Sequence, residues 1–346
     1  MHRRAVSTAL AVALSAGVSL HAADSLVLAK FGEYLESLRV QTGIPGMAAM
    51  IVAVNDIAYE RTFGQQDVER SVATQATTPF HLDGLTQTMT ASLVLRCVQE
   101  GRASLEDPIS RFAPGSADGN ATIRQVLSHT QAGGAFSYQP QRLDALKSVV
   151  EVCNPARSFR AALANMLEQF GMMVDSVPGP DAIGVPPSTT GIGQAAIDRY
   201  RAALGRLAAP YAVDARGRAT KSQYSVTGLA AGSGLISSVR EYAKFDLGLK
   251  AGQVVGFDTL SQAWTAQGGR PHGLGWFVQS YNGERVVWAF GQSDNASSSL
   301  VVILPARSMT LILLANSDGL SKGFGLADGD LNSSPFGKLF LGLFVK

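Results

Sequence analysis

Few side chains in this sequence have the types and spacing that nucleophilic catalysis requires. A serine nucleophile needs a base nearby, and a lysine one helical turn after the serine lies on the same helix face. The chain has eight lysines, and none has a serine three positions before it. The sequence therefore contains no Ser-x-x-Lys motif.

The other reactive side chains are scattered along the chain. The five histidines and two cysteines lack the spacing of metal ligands, so the sequence predicts neither a metal nor a cofactor. Cys97 lies in an apolar stretch, which favours a buried free thiol, while spacing alone leaves a disulfide with Cys153 open. We interpret His129 as a structural residue, Asp83 as a solvated loop residue, and Thr88 as unsuited to act as a nucleophile because it has no lysine partner.

Composition and patterning indicate the elements that would position these residues. The 346 residues are 46% hydrophobic and 16% charged with a net charge of +2, which allows a sizeable core and excludes the concentrated cationic face of a nucleic-acid-binding protein. Apolar runs with turn residues predict strand pairs over 47–64, 273–291 and 299–315. Helical periodicity predicts helices, and prolines with glycines predict a loop over 179–193. The predicted helices span 86–100, 122–129, 141–153, 158–170, 238–249 and 331–345.

This order of elements predicts a mixed α/β (α+β) fold. Strands from both ends of the chain would form one antiparallel sheet flanked by helices. A mostly helical lobe, approximately residues 85–240, would be inserted between the sheet-forming ends.

The first 23 residues have the pattern of a secretory signal peptide. A cationic start is followed by an uncharged run from Ala5 to Leu20 and by small residues, with expected cleavage after Ala22 or Ala23. The run is diluted by serines and glycine and is too short and too polar for a membrane span. We expect residues 24–346 to form a periplasmic or secreted protein without a transmembrane segment.

Seven short blocks, in order, resemble the serine β-lactamase, DD-peptidase and esterase superfamily, specifically its class C β-lactamase-like branch. The resemblance runs from about Phe31 to the C-terminus and is weakest over 181–207. It implies a β-lactamase/transpeptidase-like fold. The blocks lie at 78–82, 86–91, 101–108, 122–130, 234–238, 273–276 and 314–317.

The resemblance also implies where catalytic residues would stand, and most of those positions hold other residues. The Ser-x-x-Lys positions are occupied by Gly84 and Gln87, which supply neither a nucleophile nor a base. In the Tyr-x-Asn motif Tyr138 is retained, but Pro140 replaces the asparagine. In the third motif, Lys/His-Thr/Ser-Gly, Ala289 replaces the basic residue and Gly291 is retained.

Two hypotheses follow from these substitutions. The first is a catalytically inactive homologue whose cleft binds a small molecule, a peptidoglycan-like peptide or a protein partner. Loss of a nucleophile or its base in acyl-transfer enzymes lowers turnover by about 10⁶. The second is an active hydrolase in which Tyr138 acts as base, assisted by Asp83 or His81. We also expect Gly84→Ser to be tolerated on helix propensity and, with Gln87→Lys, to restore some acylation.

Overall fold

In a computed structural model, which describes residues 11–131, 133–154, 158–186 and 191–345, the strands predicted at both ends of the chain form one antiparallel sheet. Its seven strands are β1 (Gly46–Ala53), β2 (Asp56–Asp67), β3 (Val72–Ala73), β9 (Phe277–Tyr281), β10 (Glu284–Ser293), β11 (Ser297–Leu304) and β12 (Met309–Ala315). Their spatial order is β3-β2-β1-β12-β11-β10-β9. The predicted α/β fold class and all three predicted strand pairs are confirmed.

Alternation along the strands divides the core into two layers. In β1, Met47, Ala49 and Ile51 pack in one cluster with residues of the first and last helices. Ala48, Met50 and Val52 point to the other face and pack in a second cluster with the remaining helices. The sheet is therefore covered on both faces, and β1, which pairs with β12, joins the two ends of the chain.

The six predicted helices all form, and their bounds differ from the predicted ones by up to six residues. Ser158 and Ser238 cap their helices by accepting hydrogen bonds from backbone N–H groups. The helices are α1 (Ala11–Gln41), α2 (Thr86–Gln99), α3 (Ile123–Leu127), α4 (Lys147–Cys153), α5 (Phe159–Gln169), α6 (Gln194–Leu204), α7 (Val239–Lys250), α8 (Phe257–Ala263) and α9 (Pro335–Phe344).

Several details differ from the sequence predictions. The predicted helix over 141–153 divides into a 3₁₀ segment, Pro140–Leu146, and α4. The sequence analysis missed α1, α6, α8 and the hairpin of β6 (Tyr211–Val213) with β7 (Ala219–Lys221). It also missed the small sheet of β4 (Phe80–His81), β5 (Val177–Pro178) and β8 (Leu235–Ser237), whose two- and three-residue strands are too short to show periodicity.

Cys97 and Cys153 form a disulfide that links α2 to α4, so the expectation of a free thiol at Cys97 is wrong. The predicted signal peptide falls partly outside the described residues. Inside them, α1 packs through Phe31 and Leu35, which are fully buried and lie after the expected cleavage position. None of the helices in the described residues is long and apolar enough to cross a bilayer.

Candidate functional site

The site is formed where the start of α2 meets the end of β10. A short 3₁₀ turn, Asp83–Leu85, leads into α2 and packs against β10 and β11. The partner strand β9 pairs with β10 only as far as Trp288, so the last residues of β10 have no strand on that side. Tyr138 packs there, with its ring 5.1 Å from the ring of Phe290.

Two glycines allow the backbones of these segments to touch. A Cβ added at Gly84 would overlap the carbonyl oxygen of Phe290 and lie 3.1 Å from the Tyr138 hydroxyl. A Cβ added at Gly291 would lie 2.6 Å from the Gly84 nitrogen. The space that a side chain at position 84 would need is therefore already filled by the β10 backbone.

Gln87, at the lysine position, is fully buried and joins two other side chains. Its Nε2 donates a hydrogen bond to the Tyr138 hydroxyl at 3.1 Å, and its Oε1 lies 3.1 Å from His129 Nε2. The Gln139 N–H donates to His129 Nδ1 at 3.2 Å, so the imidazole proton is on Nε2 and is donated to Gln87. Gln87, His129 and Tyr138 thus form a continuous chain of hydrogen bonds, which we call the Gln87 network.

The Gln87 network is electrically neutral. Burial holds the pKa of His129 well below its usual range, and His272 beside it adds to the effect. Burial also raises the pKa of the Tyr138 hydroxyl, although the hydrogen bond from Gln87 opposes the shift. Near neutral pH, therefore, His129 has no positive charge and Tyr138 keeps its proton. The lone pair of His129 Nδ1 accepts from Gln139, and Nε2 carries the proton, so the network has no free base that could take a proton from a nucleophile.

Asp83 is 2% exposed, so its interpretation as a solvated loop residue is wrong. Its backbone has a φ of 47°, a left-handed conformation that aspartate tolerates better than most residues. Its Oδ2 accepts a hydrogen bond from Ser297 at 2.7 Å, whereas Oδ1 has no partner among the described residues. Burial raises the pKa of Asp83 to about 7. His81, stacked on Tyr224 at 4.0 Å, is also buried, and its pKa is lowered to about 4.

A pocket of about 350 Å³ opens beside the 3₁₀ turn. Asp83, Gly84, Tyr138 and Pro140 contribute to its lining, which is mostly apolar. Of the other positions implied by the resemblance, Gly291 lies in β10 and contacts the backbone of Gly84. Ala289 is fully buried in the core cluster between the sheet and α2. The six positions therefore lie in one region, and three of them, Gly84, Tyr138 and Pro140, line the pocket.

Sequence reasoning missed one residue of this region, Ser297. His129 is engaged in hydrogen bonds with Gln87 and Gln139, and Thr88 with Leu85 and Tyr242. Ser297, which fixes Asp83, comes from a strand 214 residues away along the chain and left no local signal. Among the described residues, no group of His, Cys, Asp or Glu side chains could hold a metal ion.

Comparison with solved structures identifies the class of this fold. The octameric penicillin-binding protein homologue from Pyrococcus abyssi superposes with a TM-score of 0.71 at 18% identity, covering 91% of this chain and 77% of that one. A class C β-lactamase from Rhodobacter sphaeroides superposes with a TM-score of 0.63 at 15% identity, covering 83% of this chain and 94% of that one. The fold is that of penicillin-binding and class C β-lactamase-like serine hydrolases.

The sequence comparisons give the family. The family model described as Beta-lactamase matches residues 28–170 and 173–331, so the chain belongs to the β-lactamase family. Protein flp from Staphylococcus aureus (strain NCTC 8325 / PS 47) is 30% identical over 93 residues, which are 25% of this chain and only 19% of that protein. The resemblance stated from the sequence blocks is therefore confirmed at the level of family and fold.

Proposed function

We propose that this chain is a non-acylating member of the β-lactamase family that binds a ligand in the pocket beside Gly84. The observation that carries the proposal is the packing at position 84. Glycine offers no nucleophile, and the carbonyl of Phe290 occupies the space where a nucleophilic side chain would begin. A covalent acyl-enzyme has no attachment atom at this position.

The Gln87 network supports the same proposal. Gln87 is hydrogen-bonded to both Tyr138 and His129, and these bonds form while all three side chains are uncharged. A lysine at position 87 would have to be buried against the neutral His129. Gln87 therefore acts as a structural residue that stabilises the packing of Tyr138 and His129.

The alternative, an active hydrolase with Tyr138 as base, receives less support. A tyrosine base needs a lowered pKa, whereas burial raises that of Tyr138. The proposed assistants, Asp83 and His81, contribute little, because Asp83 is held by Ser297 and His81 stacks on Tyr224.

Turnover and labelling assays test this proposal. We expect the purified protein to leave nitrocefin intact and to remain unlabelled by fluorescent penicillin. A covalent label that survives denaturation and is stoichiometric with protein would overturn the proposal, and peptide mapping would then identify the nucleophile.

We further propose that the protein is exported and cleaved after Ala22 or Ala23. The cationic and apolar start of the chain supports export, and the Cys97–Cys153 disulfide is typical of an oxidising compartment. N-terminal sequencing of protein from a periplasmic fraction should give Ala23 or Asp24 as the first residue. Periplasmic protein that still begins at Met1 would contradict this proposal.

A further inference from the structure

A groove of about 680 Å³ runs along the outer edge of β9, the strand at one end of the sheet. One wall is formed by β9 itself, including Val278 and Ser280, and the other by residues of the segment 265–271. Arg285 of β10 also contributes to the lining. None of the residues that line this groove lines the pocket beside Gly84, so the two are separate sites.

The backbone of β9 has unpaired hydrogen-bonding groups at this groove. The Val278 N–H donates to the Pro271 carbonyl at 2.9 Å, so it points away from β10. Since backbone groups two residues apart on a regular strand point to the same side, the N–H and C=O of Ser280 also point away from β10. Ser280 is exposed, and these two groups have no partner among the described residues. They form an open stretch of sheet edge to which another strand can add.

The side chains at the groove carry positive charge. Arg270 and Arg285 both line it, neither forms an ion pair within the described part of the chain, and no acidic side chain is among the lining residues. Glu284, which precedes Arg285, instead accepts a hydrogen bond from Arg307 at 2.9 Å. Two positive charges without partners at one groove attract an anionic ligand.

Arg285 is placed to contact a side chain of an added strand. It is directly opposite Ser280 in the register of β9 with β10, so both side chains project from the same face of the sheet. A strand added to β9 would place one residue opposite Ser280 on the other side, with its Cα about 10 Å from that of Arg285. Extended arginine and glutamate side chains can meet over that distance, because the serine between them is small.

We propose that the edge of β9 binds an extended acidic segment of a partner protein as an added antiparallel strand, with the partner's backbone paired to Ser280 and a carboxylate paired to Arg285. In such complexes main-chain hydrogen bonds give affinity and side chains give specificity. A second copy of this chain is a poor occupant, because pairing two β9 edges would bring together two positively charged grooves.

Four tripeptides, acetylated and amidated at their ends, test the proposal: Val-Glu-Val, Val-Gln-Val, Val-Lys-Val, and Val-Glu-Val with an N-methyl group on the glutamate nitrogen. Binding of each to the full chain is measured by NMR titration at millimolar peptide, pH 7 and low salt. We expect the glutamate peptide to bind about fivefold more tightly than the glutamine peptide, and the lysine peptide more weakly than both. Equal affinities of the first three peptides, or no saturable binding of the glutamate peptide, would overturn the inference.

The N-methylated peptide separates strand addition from simple anion binding. It keeps the carboxylate but lacks the N–H that would donate to the Ser280 carbonyl, so it should bind about tenfold more weakly than its parent. If the two bind equally, the groove takes a free carboxylate rather than a strand, and the proposal is wrong.

Variants assign the charge preference to Arg285. In Arg285→Gln the glutamate and glutamine peptides should bind about equally. Arg216→Gln, at an exposed site in the turn between β6 and β7, is the matched control and should keep the preference for glutamate. A preference that survives in Arg285→Gln would contradict the proposal.

A further pair of variants tests the backbone of Ser280. Ser280→Pro removes the N–H that faces the groove but no hydrogen bond to β10, and edge strands accept proline at such a position. It should abolish binding of the glutamate peptide, whereas Ser280→Ala, which keeps the N–H, should bind it normally. Binding that persists in a folded Ser280→Pro protein would overturn strand addition. If that variant does not fold, the N-methylated peptide makes the same test on the unaltered protein.

Discussion

Two adjacent regions of this molecule contrast in how their polar groups are satisfied. Around position 84 and the Gln87 network, glycine backbones pack tightly and the facing polar atoms are hydrogen-bonded and neutral. Directly before Gly84, the buried Asp83 has a carboxyl oxygen without a partner among the described residues, and the turn that holds it borders an open pocket. The first region is satisfied as a protein core usually is, whereas the second contains an uncompensated buried acid.

On the proposal of a non-acylating protein, the residues at the motif positions stabilise the fold, and the pocket beside them remains open. An uncompensated buried carboxyl group, such as that of Asp83, destabilises the folded state. Substitutions in the two regions should therefore have effects of opposite sign.

The largest effect is expected at Gly84. Gly84→Ser should lower the free energy of unfolding by roughly 3 kcal/mol, the upper end for overpacking, because its Cβ would overlap the Phe290 carbonyl. This differs from the expectation based on helix propensity, which ignores the neighbouring strand. Urea denaturation measures the change. Gly184→Ala is a matched control, since a Cβ there meets no atom, and it should change stability by less than about 0.5 kcal/mol. Equal losses of stability in Gly84→Ser and Gly184→Ala would contradict the claim that the backbone around position 84 is tightly packed.

A smaller loss is expected at Gln87. Gln87→Leu should cost about 2 kcal/mol, because it leaves the buried His129 and the Tyr138 hydroxyl without their partner. The exposed Gln262→Leu serves as the control, and the comparison is again made by urea denaturation. If Gln87→Leu proves as stable as the parent protein, the network does not stabilise the fold.

At Asp83 we expect a change of the opposite sign. Its pKa is raised on folding to about 7, so its contribution to stability is fully present below pH 4 and is lost as pH rises through 7. Asp83→Asn should therefore be close to neutral at low pH and should stabilise the protein by about 1 kcal/mol or more at pH 8. Unfolding curves of both proteins across this range give the difference. A variant that is destabilised at pH 8 would show that the carboxylate has a partner in the folded protein.

The smallest effect is expected from restoring the motif residues. The sequence alone predicts that Gly84→Ser with Gln87→Lys restores some acylation and that Ala289→His helps further. The packing at position 84 changes this expectation to little or no acylation by β-lactams, because the β10 backbone must move before the serine can be accommodated. Fluorescent-penicillin labelling of the folded variants measures this. Rapid stoichiometric labelling would show that the scaffold retains its catalytic geometry and that only the side chains were lost.

The sequence predicts the sheet, most of the helices and the family because these depend on periodicity and on short ordered blocks. The resemblance also implies that Gly84 and Gln87 stand at the nucleophile and base positions, and this stays a prediction. The sequence could not predict that Phe290 fills the space at Gly84, that His129 completes the Gln87 network, or that Asp83 is buried, since each depends on contacts between distant segments. The division into a helical lobe at 85–240 stays a prediction.

Intact-mass spectrometry tests the central claim most directly. The purified, unaltered protein is incubated with a β-lactam and with an activated ester, and its mass is compared with that of the untreated protein. The account predicts no added mass, because position 84 has no nucleophile and the Gln87 network has no base. A stoichiometric acyl adduct on any residue lining the pocket would contradict it.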